Sequence, residues 1–172
     1  MKIQLSSVFQ QIGKEQFYEV LPEFNEINGY PIVKKEDIRL CVTPVDSIHF
    51  TVSSEGQVEL LIPCDRCLKD VNTIVPFSFS YKVDQNKGTD EDGEAVLFLE
   101  DNELDTDSLL EGEIGLSLPM KVLCSPECKG VCPVCGTDLN VSTCNCGQGE
   151  RLTSIAEALI RAENAQKKTK KN

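Results

Sequence analysis

Between residues 37 and 83, apolar or β-branched residues recur at every second position in four runs: Ile38/Leu40/Val42, Ile48/Phe50/Val52, Val58/Leu60/Ile62 and Val71/Thr73/Val75/Phe77/Phe79/Tyr81/Val83. Alternation of period two sends successive side chains to opposite faces, so these runs predict antiparallel strands with one buried face. Ser54-Glu55-Gly56-Gln57 has turn chemistry and is expected to separate the second strand from the third. Pro76 interrupts the fourth run and marks an edge strand or a bulge. The expected architecture is an antiparallel β meander or small barrel.

The flanks are read in the same way. Met1 to Phe9 is compatible with a strand, and Pro22 to Pro31 with a loop. Val96-Leu97-Phe98-Leu99 predicts another short strand. Ser108-Leu109-Leu110-Glu111 has capping-box spacing, and Leu110, Ile114 and Leu118 fall on one helical face until Pro119 stops the run. Gly112 and Gly115 each cost that helix about 1 kcal/mol against alanine, so it must depend on packing. Leu152, Ile155, Ala156, Leu159 and Ile160 follow the spacing of an amphipathic helix that leads into a lysine-rich tail. The fold class expected is α+β, with one or two helices and a C-terminal cysteine-rich zinc-binding module. Its segments are a β body over 1–83, an acidic loop with a short strand and helix start over 84–113, the helix end and cysteine module over 114–150, and the final helix and tail over 151–172.

Composition changes this picture in two ways. The 172 residues include nine cysteines and a single histidine, and the formal charge is −11. A chain of this length buries roughly two-thirds of its unfolded surface, so it needs no disulfides to fold. It shows neither the ~18 consecutive apolar residues of a membrane span nor the apolar core of a signal peptide. The expectation is a soluble, cytoplasmic protein with no membrane attachment, and in that reducing compartment clustered cysteines point to metal binding or redox chemistry.

The charge is unevenly spread. Residues 84–113 hold twelve acids and one base, Lys87, and carry −11 alone, whereas residues 121–172 carry +3. The acidic stretch reads as a solvated loop, or as a docking surface for a basic partner or a mask over the protein's own basic end. The net acidity therefore does not exclude RNA. Lys121, Lys129, Arg151, Arg161, Lys167, Lys168, Lys170 and Lys171 are the candidate phosphate contacts.

Eight cysteines form short-spaced pairs: Cys64/Cys67, Cys124/Cys128, Cys132/Cys135 and Cys144/Cys146. A C-x2-C turn supplies two thiolates from one tight loop, and two such half-sites complete a tetrahedral zinc site. The most compact pairing joins Cys132 and Cys135 to Cys144 and Cys146, leaving Cys64 and Cys67 to meet Cys124 and Cys128 in a second site that would clip the C-terminal module to the sheet. The alternative is one cluster of Cys124, Cys128, Cys132 and Cys135. One or two zinc ions are expected. Cys41 stands apart on a strand and is expected to be a small core residue.

Other chemistry finds little support. A thiol–disulfide exchange protein using Cys64/Cys67 is the alternative function, although thioredoxin-like motifs open a helix in a βαβ pattern and this one lies among antiparallel strands. A catalytic zinc requires an open position and a general base. The one histidine, His49, alternates with Ile48 and Phe50 and is expected on the polar face of its strand. Neither a Ser/His/Asp arrangement nor a phosphate-cradling glycine loop is present. The chain is expected not to be an enzyme, and no small-molecule substrate is evident.

The order of motifs resembles the YceD family, also called DUF177. The residues that carry the resemblance are Pro63-Cys64-Asp65-Arg66-Cys67-Leu68, the acidic middle, the run Leu116 to Cys124 with Pro119 inside it, and the run Lys129 to Asn140 around Cys132 and Cys135. It covers the chain from residue 1 to about 160. The resemblance implies a bacterial cytoplasmic protein needed for accumulation of 23S ribosomal RNA, hence for assembly of the large ribosomal subunit, with plastid relatives linked to similar RNA processing. It implies rRNA or a large-subunit ribosomal protein as partner, no enzymatic class, and the cysteines with Asp65 and Arg66 as positions of interest. One departure lies before the final helix, where Gly149-Glu150-Arg151 stands in place of the Asp-Pro-Arg of many relatives.

Overall fold

The computed structural model describes residues 1–96 and 98–146. The chain divides into two compact units, Met1–Pro126 and Glu127–Asn172.

The first unit is built on a meander. Strands β5 (Ile38–Pro44), β6 (His49–Pro63), β7 (Asp70–Asp84) and β8 (Thr89–Asp90) pair antiparallel in succession. Strand β2 (Gln16–Val20) adds to the outer side of β5, with Gln16 opposite Val42 and Val20 opposite Ile38. Strand β4 (Tyr30–Lys34), itself paired with β3 (Glu26–Ile27), lies on β6 beyond the end of β5, with Ile32 opposite Leu60. No ring of strand pairs forms among the described residues, so the sheet is open and not a barrel.

Two sequence expectations meet at the centre of this sheet. No turn forms at Ser54-Glu55-Gly56-Gln57; β6 runs straight through it as a 15-residue strand paired with β7 along its whole length. The reason is that the period-two phase never breaks: Phe50, Val52, Ser54, Gly56, Val58, Leu60 and Ile62 all fall on one face. Ser54 is buried there because its hydroxyl donates to the Arg39 carbonyl at 2.9 Å. Gly56 sits opposite Phe77, whose ring covers it so closely that a Cβ would lie 3.0 Å from Phe77 Cζ. Pro76 does mark an edge: among the described residues β7 has a strand partner on its far side only at Val83 and Asp84, and its ladder to β6 contains no bulge.

A second, smaller sheet joins β1 (Lys2–Gln4), β10 (Glu103–Asp105) and β9 (Leu99–Glu100). The strand expected over Met1 to Phe9 is thus cut short after Gln4, where α1 (Leu5–Val8) buries Leu5 and Val8 in the core. The loop expected over Pro22 to Pro31 includes β3, with Ile27 fully buried.

Helix α2 (Thr106–Leu116) is capped by Asp105, whose carboxylate accepts from the backbone N–H of Asp107 and Ser108. Ser108 lies inside the helix and is not its cap. Asp105 wins because it sits at the end of β10 in extended conformation, which is the geometry an N-cap requires. Leu109, Leu110 and Ile114 bury the inner face, and Tyr81 of β7 donates its hydroxyl to Glu113 at 2.6 Å. That bond, with burial, pushes the Tyr81 phenol up to about 12.

The acidic stretch is therefore partly committed to structure. Asp84 and Asp90 accept backbone N–H groups in the turns that follow them, and Asp107 holds the N-terminal ammonium. The structure does not place Cys41 in the core: its neighbours Leu40 and Val42 take the buried face, and Cys41 is half-buried on the opposite one, beside Thr43.

The second unit folds around a tight ribbon. Val131 and Asp138 form an antiparallel bridge, and Leu139 N–H donates to the Gly130 carbonyl at 2.9 Å. The expected C-terminal helix, with Arg151, Arg161 and the lysine tail, lies outside the described residues. No helix among the described residues is long and apolar enough to cross a membrane.

Candidate metal centres

The turn after β6 is a knuckle made by six residues. Cys64 N–H donates to the Lys69 carbonyl at 2.9 Å, and Leu68 N–H returns to the Cys64 carbonyl at 2.9 Å. Inside this loop Arg66 N–H points at Cys64 Sγ, 3.5 Å away. Closing it forces Leu68 into the left-handed region at φ 61°.

The loop after Val131 repeats that geometry. Cys132 N–H donates to the Thr137 carbonyl at 2.8 Å, Gly136 N–H returns to the Cys132 carbonyl at 2.9 Å, and Val134 N–H points at Cys132 Sγ at 3.4 Å. Here the left-handed position, φ 73°, is occupied by Gly136, which takes it without steric cost. N–H groups aimed at a sulfur stabilise its thiolate, the form that binds metal.

Asp65 ties the first knuckle to the segment before Cys124. Its N–H donates to the Val122 carbonyl at 2.9 Å, and its carboxylate accepts the Val122 N–H at 2.6 Å. Two residues on, Cys124 Sγ lies 3.5 Å from Cys67 Sγ. In the second unit, Thr137 Oγ1 lies 3.1 Å from Cys135 Sγ, and the Asn140 amide donates to Cys128 Sγ at 3.5 Å.

The eight paired thiols fall into two groups of four. Cys64, Cys67, Cys124 and Cys128 form one, and Cys132, Cys135, Cys144 and Cys146 the other, with the sulfurs of each group all within 4.8 Å of one another. This is the compact pairing expected from spacing, and the alternative single cluster of Cys124, Cys128, Cys132 and Cys135 does not form. A tetrahedral zinc with Zn–S of ~2.3 Å needs S···S edges of about 3.8 Å. The donor sets fit such an ion in number, softness and span, so each group could hold a metal.

Their acid–base character agrees. Burial alone pushes the Cys64 thiol up, but backbone N–H groups of Cys124, Arg66 and Cys67 outweigh it and hold it at about 6. Hydrogen bonds from the hydroxyl and N–H of Thr137 bring Cys135 down to about 6. Cys146, sharing a hydrogen bond with Cys135 and packed among its neighbours' negative charge, is pushed up to about 12. Four thiols this close cannot all ionise unless a cation sits among them.

Of the candidate phosphate contacts, Lys121 and Lys129 are exposed beside the cysteine runs. Arg151, Arg161, Lys167, Lys168, Lys170 and Lys171 lie outside the described residues. His49 is on the outer face as expected, its Nδ1 2.8 Å from Asp46 and its Nε2 3.9 Å from Asp84. Thr137 and Asn140 were not singled out by sequence. Their one signal is that short polar side chains follow a C-x2-C turn within five residues, where they can reach back to a sulfur.

The family model described as large ribosomal RNA subunit accumulation protein YceD matches residues 51–156. The chain belongs to the YceD family. The match takes in all eight paired cysteines, both knuckles, all of β7 and β6 from Thr51 onward. Among curated proteins, the uncharacterized protein YlbN of Bacillus subtilis is 32% identical over 100 residues, covering 55% of this chain and 54% of its own length. An uncharacterized protein of Mycobacterium leprae is 33% identical over 103 residues, 56% of this chain and 47% of that protein. One from Mycobacterium tuberculosis is 34% identical over 83 residues, 44% of this chain and 38% of that protein. The chain thus spans about half or less of the length of these relatives. No solved structure matches it.

Proposed function

We propose that this YceD-family chain is a non-enzymatic zinc protein that supports 23S ribosomal RNA accumulation and large-subunit assembly by contacting rRNA. The supporting observation is the division of eight thiols into two groups of tetrahedral size, each containing a knuckle whose N–H groups face a sulfur. Closed four-thiol sites of this kind are structural: they leave no open position for substrate. The work of the metals is then to fix the loops that carry Lys121 and Lys129, while the basic C-terminal segment supplies further charge.

Native mass spectrometry of protein purified without chelator is expected to show two zinc ions that are lost on denaturation. Gel shifts with 23S fragments are expected to weaken steeply with salt, log K falling with log salt at a slope of about 0.7 per neutralised phosphate for single strands. Charge reversal at Lys121 and Lys129 reduces that slope. Binding with no salt dependence would defeat the RNA contact and leave a ribosomal protein as the partner.

The low Cys64 thiol also suits the alternative, disulfide exchange at Cys64/Cys67. That reading requires a metal-poor protein that oxidises reversibly, and it is lost if zinc is found at both groups.

A further inference from the structure

Asn140 meets a sulfur of one thiol group from a ribbon whose knuckle carries two sulfurs of the other. Its backbone belongs to the ribbon closed by the Cys132 knuckle: its N–H donates to Asp138 Oδ1 at 2.8 Å, and the preceding Leu139 N–H donates to the Gly130 carbonyl at 2.9 Å. Its side chain is fixed at both ends. Oδ1 accepts the Lys129 N–H at 2.8 Å, and Nδ2 donates to Asp138 Oδ1 at 2.7 Å and to Cys128 Sγ at 3.5 Å. Cys128 belongs to one thiol group, while Cys132 and Cys135, which close the ribbon, belong to the other.

We infer that Asn140 is a positioning residue that makes metal binding at the two groups cooperative. The inference rests on the two-metal reading above. The ribbon is short, with a single bridge between Val131 and Asp138, so its order depends on the knuckle at its tip. A metal on Cys132, Cys135, Cys144 and Cys146 clamps that tip. The clamp holds Asn140 where its amide meets the Cys128 sulfur at 3.5 Å, so the second metal finds that sulfur already oriented. Linkage makes the effect reciprocal: a metal on Cys128 favours the ribbon conformation that the other group needs. Outer-shell hydrogen bonds to metal ligands are worth about 10–100-fold in affinity, which sets the size of the coupling.

The test uses the full chain titrated with zinc against a chromophoric chelator, and with cobalt for its thiolate charge-transfer band. With the other group filled, Asn140→Ala is expected to weaken the Cys64/Cys67/Cys124/Cys128 group about 10–100-fold and shift its cobalt band, while the other group, titrated with the first one empty, stays within about 3-fold. Asn140→Asp keeps the acceptor for Lys129 but removes both amide donations, to Cys128 Sγ and to Asp138 Oδ1, and is expected to weaken the first group at least as much. Removing the other group by Cys132→Ser with Cys135→Ser weakens the first group in the parent but adds little in the Asn140→Ala background. An unchanged first-group affinity in both Asn140 variants overturns the inference. So does an equal cost of removing the second group in both backgrounds. If the parent chain binds no metal, the two-metal reading itself fails, an outcome separate from binding without coupling.

Discussion

Asp65 and Val122 hold each other by two backbone-directed hydrogen bonds, Asp65 N–H to the Val122 carbonyl at 2.9 Å and Val122 N–H to the Asp65 carboxylate at 2.6 Å. They are 57 residues apart in sequence. This contact sets the distance between a loop that closes β6 and a segment that follows α2, and so brings Cys124 to Cys67.

Asp65→Ala leaves the buried Val122 N–H without its acceptor. Chemical denaturation of the zinc-loaded protein is expected to show a loss of about 1–2 kcal/mol. Chelator competition is expected to show weaker binding at the Cys64 group by about tenfold or more. Asp65→Asn keeps an oxygen toward Val122 and recovers most of both.

Leu68 and Gly136 occupy the same left-handed position in two matching knuckles, at φ 61° and 73°. Only glycine takes that conformation without strain, and the Leu68 side chain is exposed, so little packing is lost on removing it. Leu68→Gly is expected to stabilise the protein by about 1 kcal/mol in thermal unfolding. Gly136→Leu is expected to destabilise it by at least as much.

Gly56→Ala replaces a strand-interior glycine, a change that usually stabilises. Here the new methyl meets the Phe77 ring at 3.0 Å, and that ring is buried and stacked at 6.5 Å from Phe79. Overpacking outweighs the entropy gain, and urea unfolding is expected to show a loss of about 1 kcal/mol. A gain would show that the Phe77 ring moves freely.

In the metal-free protein the thiols are expected to add pH-dependent stability with opposite signs on the two sides of about pH 9. The Cys64 and Cys135 thiols are held at about 6, below the unfolded range of about 8.5–9, so their contribution is complete above that range and lost as pH falls toward 6. Cys146 is held at about 12, so its contribution is complete below about 9 and lost as pH rises toward 12. Unfolding in chelator and reductant across pH 6–11 checks both limbs, and Cys146→Ser is expected to reduce the alkaline one, to which Tyr81, also held at about 12, contributes.

The thiol pairing and the meander were legible because both are local signals: cysteine spacing sets which loops can share an ion, and alternation sets which residues share a face. What misled was turn chemistry taken without phase. Ser54-Glu55-Gly56-Gln57 has the composition of a turn, yet Ser54 and Gly56 stay in step with Phe50, Val52, Val58 and Leu60, and only the position of Phe77 explains the glycine. Asp105, the true cap of α2, was hidden because its role depends on its being the last residue of β10. The bonds of Asp65 to Val122 and of Asn140 to Cys128 join residues that no periodicity relates.

Proline is tolerated in edge strands where the position of its missing N–H faces away from the paired neighbour. Pro76 lies midway along the side of β7 that, among the described residues, has no strand partner from Asp70 to Lys82. An invading strand would find a gap there in the row of donors it needs, with only short runs on either side. The residue that makes this strand look broken in sequence is thus a guard against edge-to-edge association, which matters for a chain whose longest ribbon ends in open backbone.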